Sequence, residues 1–431
     1  MPADRAADWL APGDALRTIL RGVTALGAEE RPLLDALGHV LAEDVRSPVD
    51  LPPWDNSAMD GFATRAEDVR GASAQAPRVL RVVDDVPAGH FATRPVGPGE
   101  AIRIMTGAPV PDGADTVIRV EHTDGGRRMG SADATVEIRA DVDAGRNVRP
   151  RGEDVRRGDA VLPAGRVLRA PELAVAAAVG RARLPVVRRP VVAVLASGDE
   201  LVPVEGFDEV LAGRRIVSTN SYALAAQLAE SGMEARLLGI ARDTPESLRE
   251  HLARAAGCDA VITTAGISVG EHDHVLGALR DLRTDVDFWR VRIRPGSAMA
   301  FGRVGGLGGI PWFGLPGNPV STMVTFELFV RPALLRMAGH AHVHAPSLDC
   351  VMRDAYSARG ELMHVPRVRL SREPDGTTSA RLTGAQGSGL GTSMAAADGL
   401  ALVPAGAELR PGDPVRVLLL GGAPRVEDAP I

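Results

Sequence analysis

From Pro190 to Met337, short apolar runs and helix-period segments alternate, each pair separated by a polar turn. The runs are VVAVLASGDELV, RIVSTNSYALAAQLAESG, EARLLGIARDTPESLREHLARAA, CDAVITTAGISVGEHDHVLGALRDL and IPWFGLPGNPVSTMVTFELFVRPALLRM. This rhythm predicts βαβ units around a parallel sheet. Ala260 to Thr264 is short, β-branched and almost wholly apolar, as a strand covered on both faces must be. A turn rich in glycine and hydroxyl groups follows it. Asp273 can then cap a helix whose Val275, Leu276, Leu279 and Leu282 share one face.

Elsewhere the pattern changes. Leu16, Ile19, Leu20 and Val23, after a capping Asp14, and a second periodic run from Leu33 to Leu41 predict helix between Ala11 and Glu43. Short strands broken by glycine and proline fill Val79 to Arg149, a helical run follows over Ala170 to Ala178, and short strands return after Pro346. The expected fold class is α/β plus β, multi-domain, with a central doubly wound α/β domain at 187–340 and a C-terminal small β domain at 345–425. A β module at 47–148 is inserted into a helical linking subdomain made of 11–46 and 149–186.

With 431 residues, 45% of them hydrophobic, the chain has material for several cores. No apolar run is long enough to cross a bilayer and the N-terminus carries no signal-peptide core, so a cytoplasmic protein without a membrane partner is expected. A net charge of −6 argues against a nucleic-acid partner. The two cysteines make no disulfide framework, and Cys258 reads as a small hydrophobe in a buried strand. There is no lysine, so all 49 basic residues are arginine. That excludes a P-loop and Schiff-base chemistry.

Candidate chemistry sits where the strands end. Ser197 to Glu200, Ser218 to Ser221, Asp243-Thr244, the turn after Thr264 and Pro316-Gly317-Asn318-Pro319 would converge at the carboxyl edge of an open sheet, where ligands bind. In the turn from Gly266 through Ser268 to Gly270, free amides at a helix start favour an anion, while Glu271 and Asp273 favour a hard cation such as Mg²⁺. Asn318 can cap the last helix, with Pro319 in its first turn. Asp55 to Gly61, framed by Trp54 and Phe62 as apolar anchors, is either a tight turn or a site. Thr106-Gly107 reads first as turn punctuation. Arg290, Arg292 and Arg294 would share one face of a strand, as a solvated edge or an anion site.

Seven ordered motifs carry a further reading: DNSAMDGFA, PGEAIRIMTGAPVPDGAD, GRNVRPRGEDV, SGDEL, ITTAGISVGEHDHV, RPGSAMAFG and LPGNPVS. In them the chain resembles the molybdopterin molybdenumtransferase (MoeA) family, which includes the E domain of gephyrin. The resemblance implies four subdomains and an elongated homodimer, with a cleft built from the α/β domain of one subunit and the β module of the other. It implies that adenylylated molybdopterin and molybdate are the substrates, and that the adenylate is hydrolysed off with Mg²⁺ as the metal enters the dithiolene. It marks Asp60, Thr106, Glu200, Asp243, Asp273, Pro316 and Pro319 as cleft positions. In compatible roles, Glu200 and Asp273 hold Mg²⁺, Gly266, Ser268 and Gly270 cradle pyrophosphate, and Asp60 or Asp243 positions the attacking oxygen. Gly317, Asn318, Arg290 and Arg294 join the substrate contacts, arginine and hydroxyl donors selecting the oxyanion. Three positions depart from the family pattern: Ala265 replaces a glycine, Arg294 a lysine, and Ser297 a second basic residue. A separate molybdopterin adenylyltransferase and acceptor molybdoenzymes are the further partners implied. The alternatives are an adenylyltransferase-like activity and a non-enzymatic scaffold of the gephyrin E type.

Overall fold

The computed structural model describes residues 9–265 and 274–421; nothing is read from the side chains of 274–276. The expectations placed on Gly266, Ser268, Gly270, Glu271 and Asp273 therefore lie outside the described residues. The chain forms two compact units, one of Glu43–Ala164 with Ala170–Ala182, the other of the remainder.

In the first unit, β1 (Gly61–Thr64), β2 (Arg78–Val86), β3 (Glu100–Ile104), β4 (Thr116–Arg119) and β5 (Thr135–Ile138) make one sheet in the order β4-β1-β3-β2-β5. Successive residues feed opposite faces: Phe62, Ala101 and Ile118 enter one core, and Ala63, Ile102 and Val117 the other. A Cβ at Gly61 would stand 1.9 Å from the Ile118 carbonyl oxygen, so only glycine lets β1 lie this close to β4. Trp54 is not the buried anchor expected. It is exposed, with its ring edge-on to Phe91 at 5.1 Å, whereas Phe62 is buried.

In the second unit, β6 (Val191–Ser197), β7 (Glu234–Ala241), β8 (Ala260–Thr264), β9 (Thr284–Phe288), β10 (Ala300–Val304) and β11 (Ile310–Leu315) are ordered β7-β6-β8-β11-β10-β9. The first four run parallel, and β10 and β9 add antiparallel partners at one edge. The chain leaves β6 for β7 on one side and returns to β8 on the other. The carboxyl ends of β6 and β8 thus flank a topological switch point. Val192, Val194 and Ile262 pack into one core, with Leu224 and Phe313; Ala193, Leu195 and Val261 pack into the opposite one, with Leu248 and Trp312. Two-sided burial explains why these strands are apolar throughout rather than alternating. Beyond the sheet, β12 (Ser347–Met352), β13 (Arg367–Arg372), β14 (Thr378–Leu382), β15 (Gly399–Leu402) and β16 (Pro414–Leu419) close a small barrel. Among the described residues no helix is long and apolar enough to cross a membrane.

Two expectations about local structure fail. Of the helix expected from Ala11 to Glu43, only the α-helix Pro12–Arg21 and a single 3₁₀ turn at Leu34–Ala36 form. Ala11 occupies the cap position and Asp14 instead pairs with Arg17. Ala28–Pro32, between the two periodic runs, is a strand against Arg183–Val187, because a partner roughly 150 residues away outweighs local helix preference. In the run from Leu33 to Leu41, Leu34 and Leu37 are exposed while Val40 and Leu41 are buried. Arg290, Arg292 and Arg294 do not share one strand either. β9 stops at Phe288, Val291 makes only an isolated bridge to Leu10, and Ile293–Arg294 pairs with a different segment, Met363–His364, before Pro295 breaks the run. Cys258 is buried as expected, but just ahead of β8.

The Trp312 Nε1–H donates to Thr263 Oγ1 at 3.0 Å between neighbouring buried strands. Thr263→Val keeps the shape and removes the acceptor. It should lower the stability of this unit by about 1–3 kcal/mol in urea denaturation, the cost of stranding a buried donor. An unchanged midpoint would show that the bond does not help set the register.

Candidate functional site

At the carboxyl ends of β6, β8 and β11 lies a cavity of about 390 Å³ whose lining includes Glu200, Ser218, Asn220, Ala265, Gly317 and Pro319. Glu200 reaches it because Gly198 has φ +151. A Cβ there would come within 2.7 Å of both Glu200 carboxylate oxygens. Asn220 donates from Nδ2 to the Gly317 carbonyl at 2.7 Å, tying the start of the helix Thr219–Glu230 to the turn after β11. Among the described residues its Oδ1 is buried without a partner. Ala265 sits at φ +66, in the left-handed region. Its amide donates to the Leu315 carbonyl at 3.2 Å, which holds the chain in that conformation.

A second cavity of about 530 Å³ lies on the other side of the Pro316–Pro319 turn, lined by Arg294, Ser297, Pro316, Asn318, Gln386 and Ser388, among others. Asn318 lines both cavities. It stands at the cap position, but its side chain makes no cap bond and donates instead to Ser388 Oγ at 3.0 Å. The expected cap is thus replaced by a tie to the loop that follows β14. Pro319 does take the first helical position. Beneath that loop Arg367 is 1% exposed. It donates to the carbonyls of Ala385, Gln386 and Gly387 and to Ser393 Oγ. All these acceptors are neutral, and burial pushes the guanidinium pKa down. A buried cation answered only by dipoles leaves positive potential for an anion nearby. Arg294 adds to it at the rim, and no ion pair of Arg294 occurs among the described residues.

In the other unit Asp60 and Thr106 form a pair. Asp60 Oδ1 accepts from the Thr106 amide at 2.7 Å and from its hydroxyl at 2.8 Å. The amide first, then the hydroxyl, hold the Asp60 carboxyl below its ordinary range, so it is ionised at neutral pH. Asp243 follows β7, exposed, and lines neither cavity; Arg290 stacks on Trp9 at 4.9 Å, apart from Arg294. Among the described residues no three His, Cys, Asp or Glu side chains converge as a metal cluster. The sequence singled out Glu200, Gly317, Asn318, Pro319, Pro316 and Arg294 for this region, but not Asn220, Arg367, Gln386 or Ser388. Asn220 did stand in a polar turn after a strand. Nothing in AQGSG or VPRVRL set the other three apart.

Three family profiles match the chain. They are the MoeA N-terminal region (domain I and II) over residues 10–180, a probable molybdopterin binding domain over 193–336, and the MoeA C-terminal region (domain IV) over 350–420. The chain is 40% identical over 327 residues to molybdopterin molybdenumtransferase 2 of Mycobacterium tuberculosis, covering 74% of this chain and 78% of that one. It is 32% identical over 411 residues to the molybdopterin molybdenumtransferase of Staphylococcus aureus, covering 94% of each. A crystal structure of a molybdopterin biosynthesis MoeA protein from Pyrococcus horikoshii OT3 superimposes with a TM-score of 0.79 at 30% identity, covering 96% of this chain and 100% of that one.

The left-handed Ala265 yields a signed prediction. An L-residue there costs roughly 1–2 kcal/mol, part of which glycine returns through unfolded-chain entropy. Ala265→Gly should therefore raise stability by about 1 kcal/mol in denaturant titration, and Ala265→Val should lower it. Equal stability of all three proteins would contradict the backbone geometry.

Proposed function

This chain belongs to the molybdopterin molybdenumtransferase family, and we propose that it inserts molybdate into the dithiolene of adenylylated molybdopterin, with release of AMP, as a step of molybdenum cofactor biosynthesis. The observation that carries the reading is the pair of adjoining cavities that share Asn318. One offers a carboxylate and helix-start amides, the setting for a phosphate bridge; the other offers Arg294, the buried charge of Arg367 and serine hydroxyls, the setting for a tetrahedral oxyanion. Ser297 lines the second cavity, where the family usually places a base, so the charge falls to these two arginines.

Mg²⁺ fits the first cavity by its donors. Asn220 Oδ1, buried without a partner, and the Glu200 carboxylate line one space, and both are hard oxygens. Glu200 would hold the ion with Asp273, and the bound cation would neutralise charge at the phosphate bridge. Asp60, kept ionised by Thr106, orients the attacking oxygen. We further read the working form as a cytoplasmic homodimer in which the Asp60–Thr106 pair of one copy serves the cavities of the other. A separate adenylyltransferase supplies the substrate, and acceptor molybdoenzymes take the product.

The test is to incubate pure protein with adenylylated molybdopterin, Mg²⁺ and molybdate, and to follow AMP release and molybdenum incorporation. Both should occur together, and Glu200→Gln and Asp60→Ala should each abolish them with the fold intact. A mixture of the two variants should recover part of the activity once heterodimers form. AMP release without incorporation would overturn the transferase reading. No recovery in verified heterodimers would place both residues in one chain's site.

A further inference from the structure

Resting on the reading of the second cavity as the oxyanion site, we propose that His364, held by Tyr356 behind Arg294, takes up a proton when the oxyanion binds. Molybdate binding and protonation would then be one event. Ile293–Arg294 runs parallel to Met363–His364 with Arg294 opposite His364, and opposite residues of a parallel pair present their side chains on the same face. Arg294 lines the cavity; His364, 5% exposed, stands behind it. The backbone of His364 is fixed by reciprocal 2.9 Å bonds with Val403. Its ring is fixed by Tyr356, whose Oη lies 3.0 Å from Nδ1 and whose ring meets it edge-on at 5.8 Å. Backbone and ring are thus both held in place beside the Ile293–Arg294 strand.

The charged groups acting on this pair are Arg294, from the ladder, and Arg367, from β13. Glu408, on the strand beside Tyr356–Ser357, lies against Arg359 at 3.8 Å. Burial first, then Arg294, holds the imidazole pKa below its usual range, so without an anion the ring is neutral at neutral pH, where the neutral imidazole with Nδ1 unprotonated can accept from the Tyr356 hydroxyl. A dianion beside Arg294 offsets the arginine field, the lesser of the two causes, and so raises the imidazole pKa while burial still opposes the charge. The protonated ring keeps its partner, since Nδ1–H can then donate to Tyr356 Oη. His364 acts through Arg294 and is a positioning residue.

Linkage fixes the sign. The proton is held more tightly when the oxyanion is present, so lower pH favours binding, and between the free and bound pKa values affinity falls up to tenfold per pH unit as pH rises. The full chain can be titrated calorimetrically with sodium molybdate between about pH 5 and 8 in buffers of different ionisation heat. The heat should depend on the buffer, showing net proton uptake on binding, and His364→Asn should bind with a flatter pH profile and no buffer dependence. Independently of any variant, the His364 ring resonances of the wild-type protein should move to the protonated position on adding molybdate at fixed pH. Binding with no buffer-dependent heat and no such shift overturns the proposal while leaving the oxyanion site intact. If molybdate binds wild type and Arg294→Ala alike, or neither, the site reading fails and this proposal fails with it.

Discussion

The four parallel strands of the second unit must end at the same level, and the candidate site depends on that constraint. Two-sided burial supplies the energy: each fully buried valine, leucine or isoleucine is worth about 1.5–3 kcal/mol, against about 1 kcal/mol net for a hydrogen bond. Burial alone does not choose the register, because sliding an apolar strand along an apolar neighbour loses little. A polar bond between neighbours can choose it. The Trp312–Thr263 bond fixes β11 against β8 close before the turns that carry Ala265 and Gly317. Slippage there would separate Glu200 and Asn220 from the Pro316–Pro319 turn and open the first cavity.

Charge organises the second cavity as register organises the first. In a chain whose basic residues are all arginine, burial cannot neutralise the cation by removing its proton, as it can for lysine. Arg367 therefore remains charged at 1% exposure and orders the loop Ala385–Gly387 by donating to three of its carbonyls. The same guanidinium that builds the wall sets its potential. This links the small barrel, otherwise a separate core of Met352, Val368, Ala401 and Val417, to the chemistry at the sheet edge.

The α/β rhythm was legible because burial on both faces forces a continuous apolar run, which Ala260–Thr264 and Val191–Ser197 display. The strand-end turns were legible for the same reason, since polar residues directly after such a run have nowhere to go but the sheet edge. Ala28–Pro32 was not legible, because its partner lies in Arg183–Val187 and no local pattern encodes a pairing that distant. Nor was the route of Asn318 to Ser388, because a cap position predicts a side chain's place but not its choice of acceptor. Arg367 hid for a different reason: an arginine in a strand reads as solvent-facing, and only tertiary structure shows three carbonyls waiting for it.

Whether Asn318 joins two ligand spaces into one site is read from the binding of AMP and of molybdate, each alone, to the wild-type chain, Asn318→Ala and Arg294→Ala. Arg294→Ala should weaken molybdate roughly ten- to a hundredfold, as expected for a lost charge-assisted bond, and leave AMP unchanged. Asn318→Ala should weaken both ligands. If Asn318→Ala affects one ligand only, or neither, with the fold intact, the two cavities are independent and the account is wrong.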